Sequence, residues 1–234
     1  MVAGLAAAYF VARETPLFAL RTVDVRGAPP AIAGDVRRAL EPLSGTTLVT
    51  LDTGDVERRL GHLPVVIDAR VDRAFPHTLV VRVRPERAVA IVRRGRDAWV
   101  VSARGRVLER LETALDLRLP RIWVPKTTSV ALGALLAGDA GRLARALAEV
   151  EETALARRIK SARFGADDDL TFVLRSGLEL RVGAARSLRL KLDVANQVLA
   201  TVGEPSTPGY LEVSDPVRPV GRLAPPPPES QVEG

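Results

Sequence analysis

Side chains that commonly carry enzyme chemistry are scarce in this chain of 234 residues. It contains no cysteine and only two histidines, His62 and His77. A thiolate nucleophile, a disulfide framework and a cysteine-containing zinc site are therefore excluded, and a serine–histidine pair would have to use one of the two histidines. No serine lies in a recognisable nucleophile turn, and glycine-rich phosphate-binding loops are absent. The sequence predicts a protein that is not an enzyme and needs no cofactor or small-molecule substrate.

One run of carboxylates, Asp167, Asp168 and Asp169, could suggest a site for Mg²⁺ or Ca²⁺, because both ions prefer oxygen ligands. The run lacks the alternating ligands and the distal glutamate of an EF-hand loop. We expect a polar turn here, with no metal site.

The chain is basic, with a formal net charge of +6 and a sequence pI near 10.6. All of the excess lies between Met1 and Arg110, where 18 arginines face 12 acidic residues. Aromatic residues make up only 4%, and no run of Lys and Arg is longer than two, so the usual devices of nucleic-acid recognition are missing. We interpret the charge as GC-rich arginine usage combined with a location near anionic lipid, and expect no nucleic-acid partner.

The N-terminal segment Val2–Ala12 is an uninterrupted run of eleven apolar residues. As a helix it would span about 16 Å, roughly half of a ~30 Å hydrocarbon core. A buried core helix, a signal-peptide core and the outer half of a membrane anchor are all compatible with that length. The segment has no basic residues before it and no small-x-small cleavage site, which disfavours the signal peptide. We favour a partial transmembrane anchor with a juxtamembrane segment at residues 1–16.

Residues 17–87 show the pattern of a first domain. A short strand ends at Gly27, and an amphipathic helix follows with apolar residues at intervals of three and four. Asp52 offers an N-cap for a second helix, and two alternating runs, Val65–Val71 and Leu79–Val83, predict a hairpin. The predicted order is β-α-α-β-β.

Residues 88–222 predict a second domain, a mixed β-sheet with two longer helices, so that the fold class is α+β. Strand-like segments that flank the short polar stretches Arg93–Asp97 and Arg175–Gly177 predict two hairpins, and a last strand is expected at Tyr210–Ser214. Periodicity predicts helices from Asp139 to about Ile159 and from about Ala185 to Val202. Residues 223–234 are proline-rich without periodicity, which is typical of a disordered tail.

Several stretches in both predicted domains carry a resemblance to a known family. Phe18, Leu20, Val23, Val25 and Gly27 match F-x-[LV]-x-x-V-x-V-x-G, and Phe75-Pro76-His77-Thr78-Leu79 with Val81, Val83, Glu86 and Arg87 matches F-P-x-T-L-x-[VI]-x-V-x-E-R. Further on, Gly177–Gly183, Lys191-Leu192, Val198-Leu199 and Tyr210–Val213 follow G-x-x-[VL]-x-[LV]-G, K-[LI], V-L and Y-[IVL]-D-[VL], with Glu212 in place of the aspartate. Together they resemble the bacterial cell-division family FtsQ/DivIB, in which a POTRA domain precedes a β-domain.

The resemblance implies a single-pass protein of the cell membrane at the division septum, with a cytoplasmic N-terminus and extracytoplasmic domains. It would act as a scaffold that links early and late division proteins through FtsB/DivIC-like and FtsL-like bitopic partners and thereby controls septal peptidoglycan synthesis. In the family, the partner adds a β-strand to the edge of the C-terminal sheet. By position that edge is expected between Tyr210 and Val220, and the residues expected at the partner are Tyr210, Leu211, Val213, Ser214, Asp215, Val217 and Arg218.

Two alternatives remain open. Pro216 and Pro219 lack an N–H donor, so the prolines either restrict augmentation to part of the segment or protect the edge from aggregation. A POTRA-containing scaffold of another envelope assembly or transport system would also bind by strand addition, although repeated POTRA units or a long barrel would then be expected.

Overall fold

The computed structural model describes residues 16–112, 118–165, 167–203 and 209–222. These residues form two compact units that divide between Arg87 and Ala88. The predicted anchor, except for Pro16, and the predicted tail at 223–234 lie outside the described residues. Within the described ranges, no helix is long and apolar enough to cross a membrane.

The described part of the N-terminal unit contains three strands and two α-helices, in the order β1 (Thr22–Arg26), α1 (Pro30–Leu40), α2 (Thr53–Gly61), β2 (Val66–Ala74) and β3 (Thr78–Pro85). This is the predicted β-α-α-β-β order. Short 3-10 helices lie at Pro16–Phe18 and Glu41–Leu43. β3 is central in the sheet, with β1 parallel to it on one side and β2 antiparallel on the other. The predicted hairpin is therefore confirmed, whereas the parallel pairing of β1 is a contact that local periodicity does not reveal.

Both helices of this unit begin where the local sequence favours a start. α1 has a proline in its first turn, where the missing N–H is not needed. The Asp52 carboxylate caps α2 by accepting hydrogen bonds from the N–H groups of Gly54 and Asp55. Each helix buries one stripe against the sheet, centred on Val36 in α1 and Leu60 in α2, both of which are fully buried.

The C-terminal unit contains nine strands and two helices, in the order β4 (Ala88–Arg94), β5 (Asp97–Ser102), β6 (Val107–Leu111), β7 (Arg121–Trp123), α3 (Gly138–Glu151), β8 (Ile159–Phe164), β9 (Leu170–Leu174), β10 (Glu179–Gly183), α4 (Leu188–Val202), β11 (Tyr210–Glu212) and β12 (Val220–Arg222). They form one mixed sheet in the order β12-β11-β10-β9-β8-β7-β4-β5-β6. α3 packs on β4, β7 and β8, and α4 packs on β10, so both helices cover one face of the sheet. The α+β class with two longer helices is confirmed.

The prediction that α3 continues to Ile159 is wrong. The helix ends at Glu151, because the N–H of Glu152 turns back to the carbonyls of Glu149 and Val150. The hydroxyl of Thr153 also donates to Val150 O, which caps the same turn. Leu155 is fully buried although it lies in the turn after the helix. Its apolar side chain therefore extended the helical pattern without being part of the helix.

The carboxylate run lies in the connection before β9. Asp168 accepts two hydrogen bonds, at 3.1 and 2.9 Å, from the guanidinium of Arg142 on α3. That hydrogen-bonded cation lowers the pKa of Asp168 from its ordinary value. Among the residues that the structure describes, no three His, Asp or Glu side chains are grouped so that they could hold a metal ion.

Candidate functional site at the edge of the C-terminal sheet

The free edge at this end of the sheet is β12, which the sequence did not predict. β11 pairs with β10 in parallel on one side and with β12 in antiparallel fashion on the other. The sequence predicts the edge between Tyr210 and Val220. In the structure Val220–Arg222 folds back and covers β11, so that of this segment Val220 alone belongs to the edge strand. The residues expected at a partner fall partly on β11 and partly on the turn that leads to β12.

Backbone hydrogen bonds show which groups of β12 face away from the sheet. Gly209 O accepts from the N–H of Glu179, and the N–H of Val213 donates to Arg181 O, so the odd-numbered residues of this segment bond to β10. Because backbone groups alternate along a strand, Tyr210 and Glu212 face β12, where they lie opposite Arg222 and Val220. The N–H and C=O groups of Val220 and Arg222 are therefore directed toward β11.

Gly221 is left with its N–H and C=O directed outward. It lies opposite Leu211, between the two hydrogen-bonded pairs of this ladder. The same alternation places Pro219 at an outward position, where the N–H that it lacks would not have bonded β11. An intact β12 is therefore compatible with both roles considered for Pro219, which are restriction of strand addition and protection of the edge from aggregation. Gly221 supplies a complete donor and acceptor for another strand.

The turn between β11 and β12 takes up the remaining predicted residues. Val213 is fully buried, and the hydroxyl of Ser214 donates to the Glu212 carboxylate at 2.8 Å. The Asp215 carboxylate accepts from the N–H of Val217, and its carbonyl accepts from that of Arg218. Val217 is 84% exposed at the tip of this turn. The predicted residues therefore do not form one surface, since two of them, Leu211 and Val213, belong to the core.

A network of charged and aromatic side chains stiffens the uncovered face of the sheet beside this edge. Glu179 of β10 accepts hydrogen bonds from Arg163 on β8 at 2.6 Å and from Arg181 at 3.1 Å. The Arg181 guanidinium in turn lies over the Tyr210 ring, 4.4 Å from its centroid. Arginine, carboxylate and tyrosine thus connect β8, β10 and β11 in one chain, and Tyr210 is committed to a contact within the sheet.

This network makes a pH-dependent contribution to stability. Hydrogen bonds from Arg163 and Arg181 lower the pKa of the Glu179 carboxyl from its usual value, against the opposing effect of partial burial. A carboxyl whose pKa is lower in the folded state stabilises the fold fully above its unfolded pKa of about 4.3. The contribution disappears as the pH falls through the lower, folded-state pKa.

We expect Glu179→Gln to lower the free energy of unfolding by roughly 1 kcal/mol at pH 7, since Glu179 is only partly exposed and meets two arginines. The difference from the wild type should shrink as the pH falls below about 4. Urea unfolding at a series of pH values measures it, with Glu109→Gln, which changes an exposed carboxylate of β6, as the matched control. A difference that stays constant down to pH 2.5 would show that ionisation of Glu179 does not contribute.

Comparisons with known proteins agree with the two-unit architecture. The family model "POTRA domain, FtsQ-type" matches residues 18–85, and "Cell division protein FtsQ/DivIB, C-terminal" matches residues 90–215, more than half of the chain. A curated protein of Streptomyces venezuelae named "Cell division protein FtsQ" is 26% identical over 206 residues, which cover 86% of this chain and 73% of that protein. A protein of the same name from Caulobacter vibrioides is 28% identical over 125 residues, or 53% of this chain and 41% of that protein. A third, from Streptomyces coelicolor, is 34% identical over 87 residues, 37% of this chain and 33% of that protein.

Proposed function

Because the chain belongs to the FtsQ/DivIB family of cell division proteins, we propose that it is a membrane-anchored scaffold of the bacterial division machinery. Its N-terminal apolar segment would enter the cell membrane, with the N-terminus cytoplasmic and both folded units extracytoplasmic at the septum. The scaffold would bind FtsB/DivIC-like and FtsL-like bitopic proteins and thereby control septal peptidoglycan synthesis. It would do so by binding alone, without catalysis.

The observation that carries this proposal is the free edge at β12. An added strand would bond to the outward N–H and C=O of Gly221, and a partner side chain on the uncovered face would meet Val220 and Arg222. Val220 is 59% exposed there, so its side chain is accessible to a partner at this edge. Backbone bonds would supply affinity and the exposed side chains specificity.

With β12 as the edge, the residues predicted at the partner take different roles. Val217, Arg218 and Asp215 lie at the turn, where a partner that continued past β12 would meet them. Tyr210 would support the edge through Arg181 rather than touch a partner directly. Leu211 and Val213 would act only by holding β11 in the core.

Co-purification of the chain with the FtsB- and FtsL-like proteins of the same genome tests the proposal. We expect Val220→Asp to weaken binding by about tenfold or more, because a carboxylate would be desolvated under the added strand. Val217→Asp is the matched control, since it changes an exposed valine at the turn and should have a smaller effect.

Equal binding by wild type and Val220→Asp would contradict strand addition at β12. A larger loss with Val217→Asp than with Val220→Asp would move the contact to the turn. Failure of the wild-type chain to bind either partner would contradict the scaffold function itself.

A further inference from the structure

We propose that one end of the POTRA domain docks on the anionic surface of a phospholipid bilayer, with a basic groove that receives a lipid headgroup. We call it the entry end, because the chain enters the domain there. It consists of Leu17–Thr22, the end of α1 with the following turn through Thr46, and the β2–β3 turn at Phe75–His77. The inference rests on the proposed membrane anchoring and adds a second, peripheral contact with lipid.

Strand pairing places these segments at one end of the sheet. β1 and β3 are parallel and begin at Thr22 and Thr78, which lie opposite each other, and the antiparallel β2 ends beside them at Ala74. The carbonyl of His77 accepts hydrogen bonds from the N–H groups of Arg21 and Thr22 at 3.0 and 3.2 Å. The turn and the entering chain are therefore tied together.

The entry end exposes large apolar side chains. Leu17 is 60% exposed and Phe75 is 56% exposed. The Phe75 ring packs edge-to-face on Phe18, with centroids 5.8 Å apart, so the turn residue is held against the entering chain. Single exposed apolar residues are common on soluble proteins, but these two occupy the end that follows the apolar segment Val2–Ala12. Aromatic side chains are favoured at the boundary between lipid and water.

A groove of about 460 Å³ opens at the same end, between β1 and α1. Leu20, Val23 and Leu40 supply its apolar lining, and its arginines are Arg21, Arg37 and Arg38. Hydrogen bonds from Leu20 N to Thr46 O and from Gly45 N to Leu20 O fix the groove beside the entering chain.

The charge of the groove fits an anionic headgroup. Its three arginines face one carboxylate in the lining, that of Glu41, and Arg38 also pairs with Asp35 at 2.9 Å. Guanidinium groups bind phosphate through paired N–H donors, and the apolar lining would accept the first carbons of the lipid. A phospholipid supplies both parts in one molecule.

The covalent connection favours lipid over a soluble ligand. Four residues lie between Ala12 and Leu17, and the five Cα–Cα steps span at most about 18 Å when fully extended. If Val2–Ala12 enters the bilayer, the entry end stays within about 18 Å of its surface and can reach it. Within a Debye length of about 8 Å, arginines are attracted by the negative potential of anionic headgroups.

The absence of cysteine makes a direct test practical. A single cysteine is introduced at Ala74, which is exposed next to Phe75, or at Gly61, at the opposite end of the domain, where an added Cβ meets no atom within 4 Å. The full 234-residue chain carries a fluorophore at that cysteine. It is mixed with vesicles of phosphatidylcholine alone or with phosphatidylglycerol, containing a nitroxide-bearing lipid as quencher. Flotation of the same samples measures binding of the whole chain.

We expect strong quenching at position 74 in the anionic vesicles and little at position 61. Arg37→Gln with Arg38→Gln should shift the equilibrium away from the docked state by roughly fivefold per arginine. The matched control is Arg58→Gln with Arg59→Gln, an adjacent pair on α2 in which Arg58 also pairs with an aspartate three residues earlier. Phe75→Ser should reduce quenching without removing its dependence on anionic lipid.

The outcomes separate this inference from the anchor. A chain that floats with vesicles, yet shows equal quenching at positions 74 and 61, overturns lipid docking and leaves the anchor standing. Quenching at 74 that is the same without phosphatidylglycerol, or that both arginine pairs reduce equally, overturns the basic groove as a headgroup site. A chain that floats with neither vesicle overturns the anchor and the docking together.

Discussion

Gly209→Ala is expected to detach β12 from the sheet and to abolish partner binding while the rest of the C-terminal unit stays folded. A Cβ atom at Gly209 would lie 2.2 Å from the carbonyl oxygen of Arg222, far inside van der Waals contact. That oxygen belongs to the ladder that joins β12 to β11, so relief of the clash requires β12 to move. β12 has only three residues, all exposed, and little buried area opposes its displacement.

Three measurements follow from this mechanism. Binding of the FtsB- and FtsL-like proteins should fall by about 100-fold or more, because the edge that carries the proposed contact is lost. Hydrogen exchange should accelerate at the amides of Val220 and Arg222, which are protected only by β11. The free energy of unfolding should fall by less than about 2 kcal/mol, in the range of overpacking by one methyl group.

Gly34→Ala in α1 is the matched control. The same added Cβ meets no atom within 4 Å there, and alanine should stabilise the helix by about 0.5–1 kcal/mol without a change in binding. Unaltered partner binding by Gly209→Ala, with unaltered exchange at Val220 and Arg222, would show that β12 tolerates the methyl group. Lost binding with unaltered exchange would place the contact at Gly209 itself.

The edge strand β12 is an element that local sequence patterns do not predict. The hairpins β2–β3, β4–β5 and β9–β10 were predictable because alternating or continuous apolar runs flank a short polar turn and each strand pairs with its neighbour in the chain. β12 reads Val-Gly-Arg and buries none of its residues, so no periodicity marks it. Its register depends on contacts with β11 that a local pattern does not contain.

The same limit applies to the parallel pairs. β7 lies between β4 and β8, and β11 lies beside β10, each through a parallel pairing with a strand distant in sequence. Short strands such as Arg121–Trp123 offer only one buried side chain, Ile122, as a signal. The sequence therefore predicted which segments are strands better than which strands are neighbours, and a site built from backbone groups at an edge depends on the neighbours.

Lys191→Met is expected to lower the free energy of unfolding by about 2–4 kcal/mol, because it leaves two carbonyl groups without their donor. Lys191 lies on α4 and is only 7% exposed. Its ammonium group donates to the carbonyls of Val182 at 2.9 Å and Ala184 at 2.8 Å, at the end of β10. Gly183 between them has a φ of +67°, a conformation that turns the chain out of the strand.

Methionine keeps the unbranched stem of lysine and so isolates the loss of the N–H donors from a loss of packing. Removal of a buried charge would by itself be favourable, which keeps the expected cost below the sum of two unsatisfied carbonyls. Urea unfolding measures the change, with Lys160→Met on β8 as the control, since that lysine is exposed and should alter stability by less than about 0.5 kcal/mol. A Lys191→Met protein as stable as the wild type would mean that water replaces the ammonium group at both carbonyls. A loss of stability near 3 kcal/mol would instead show that the hydrogen bonds of Lys191 hold the end of β10 in place. The positions of β11 and of the edge strand β12 depend on β10, because β11 pairs with it.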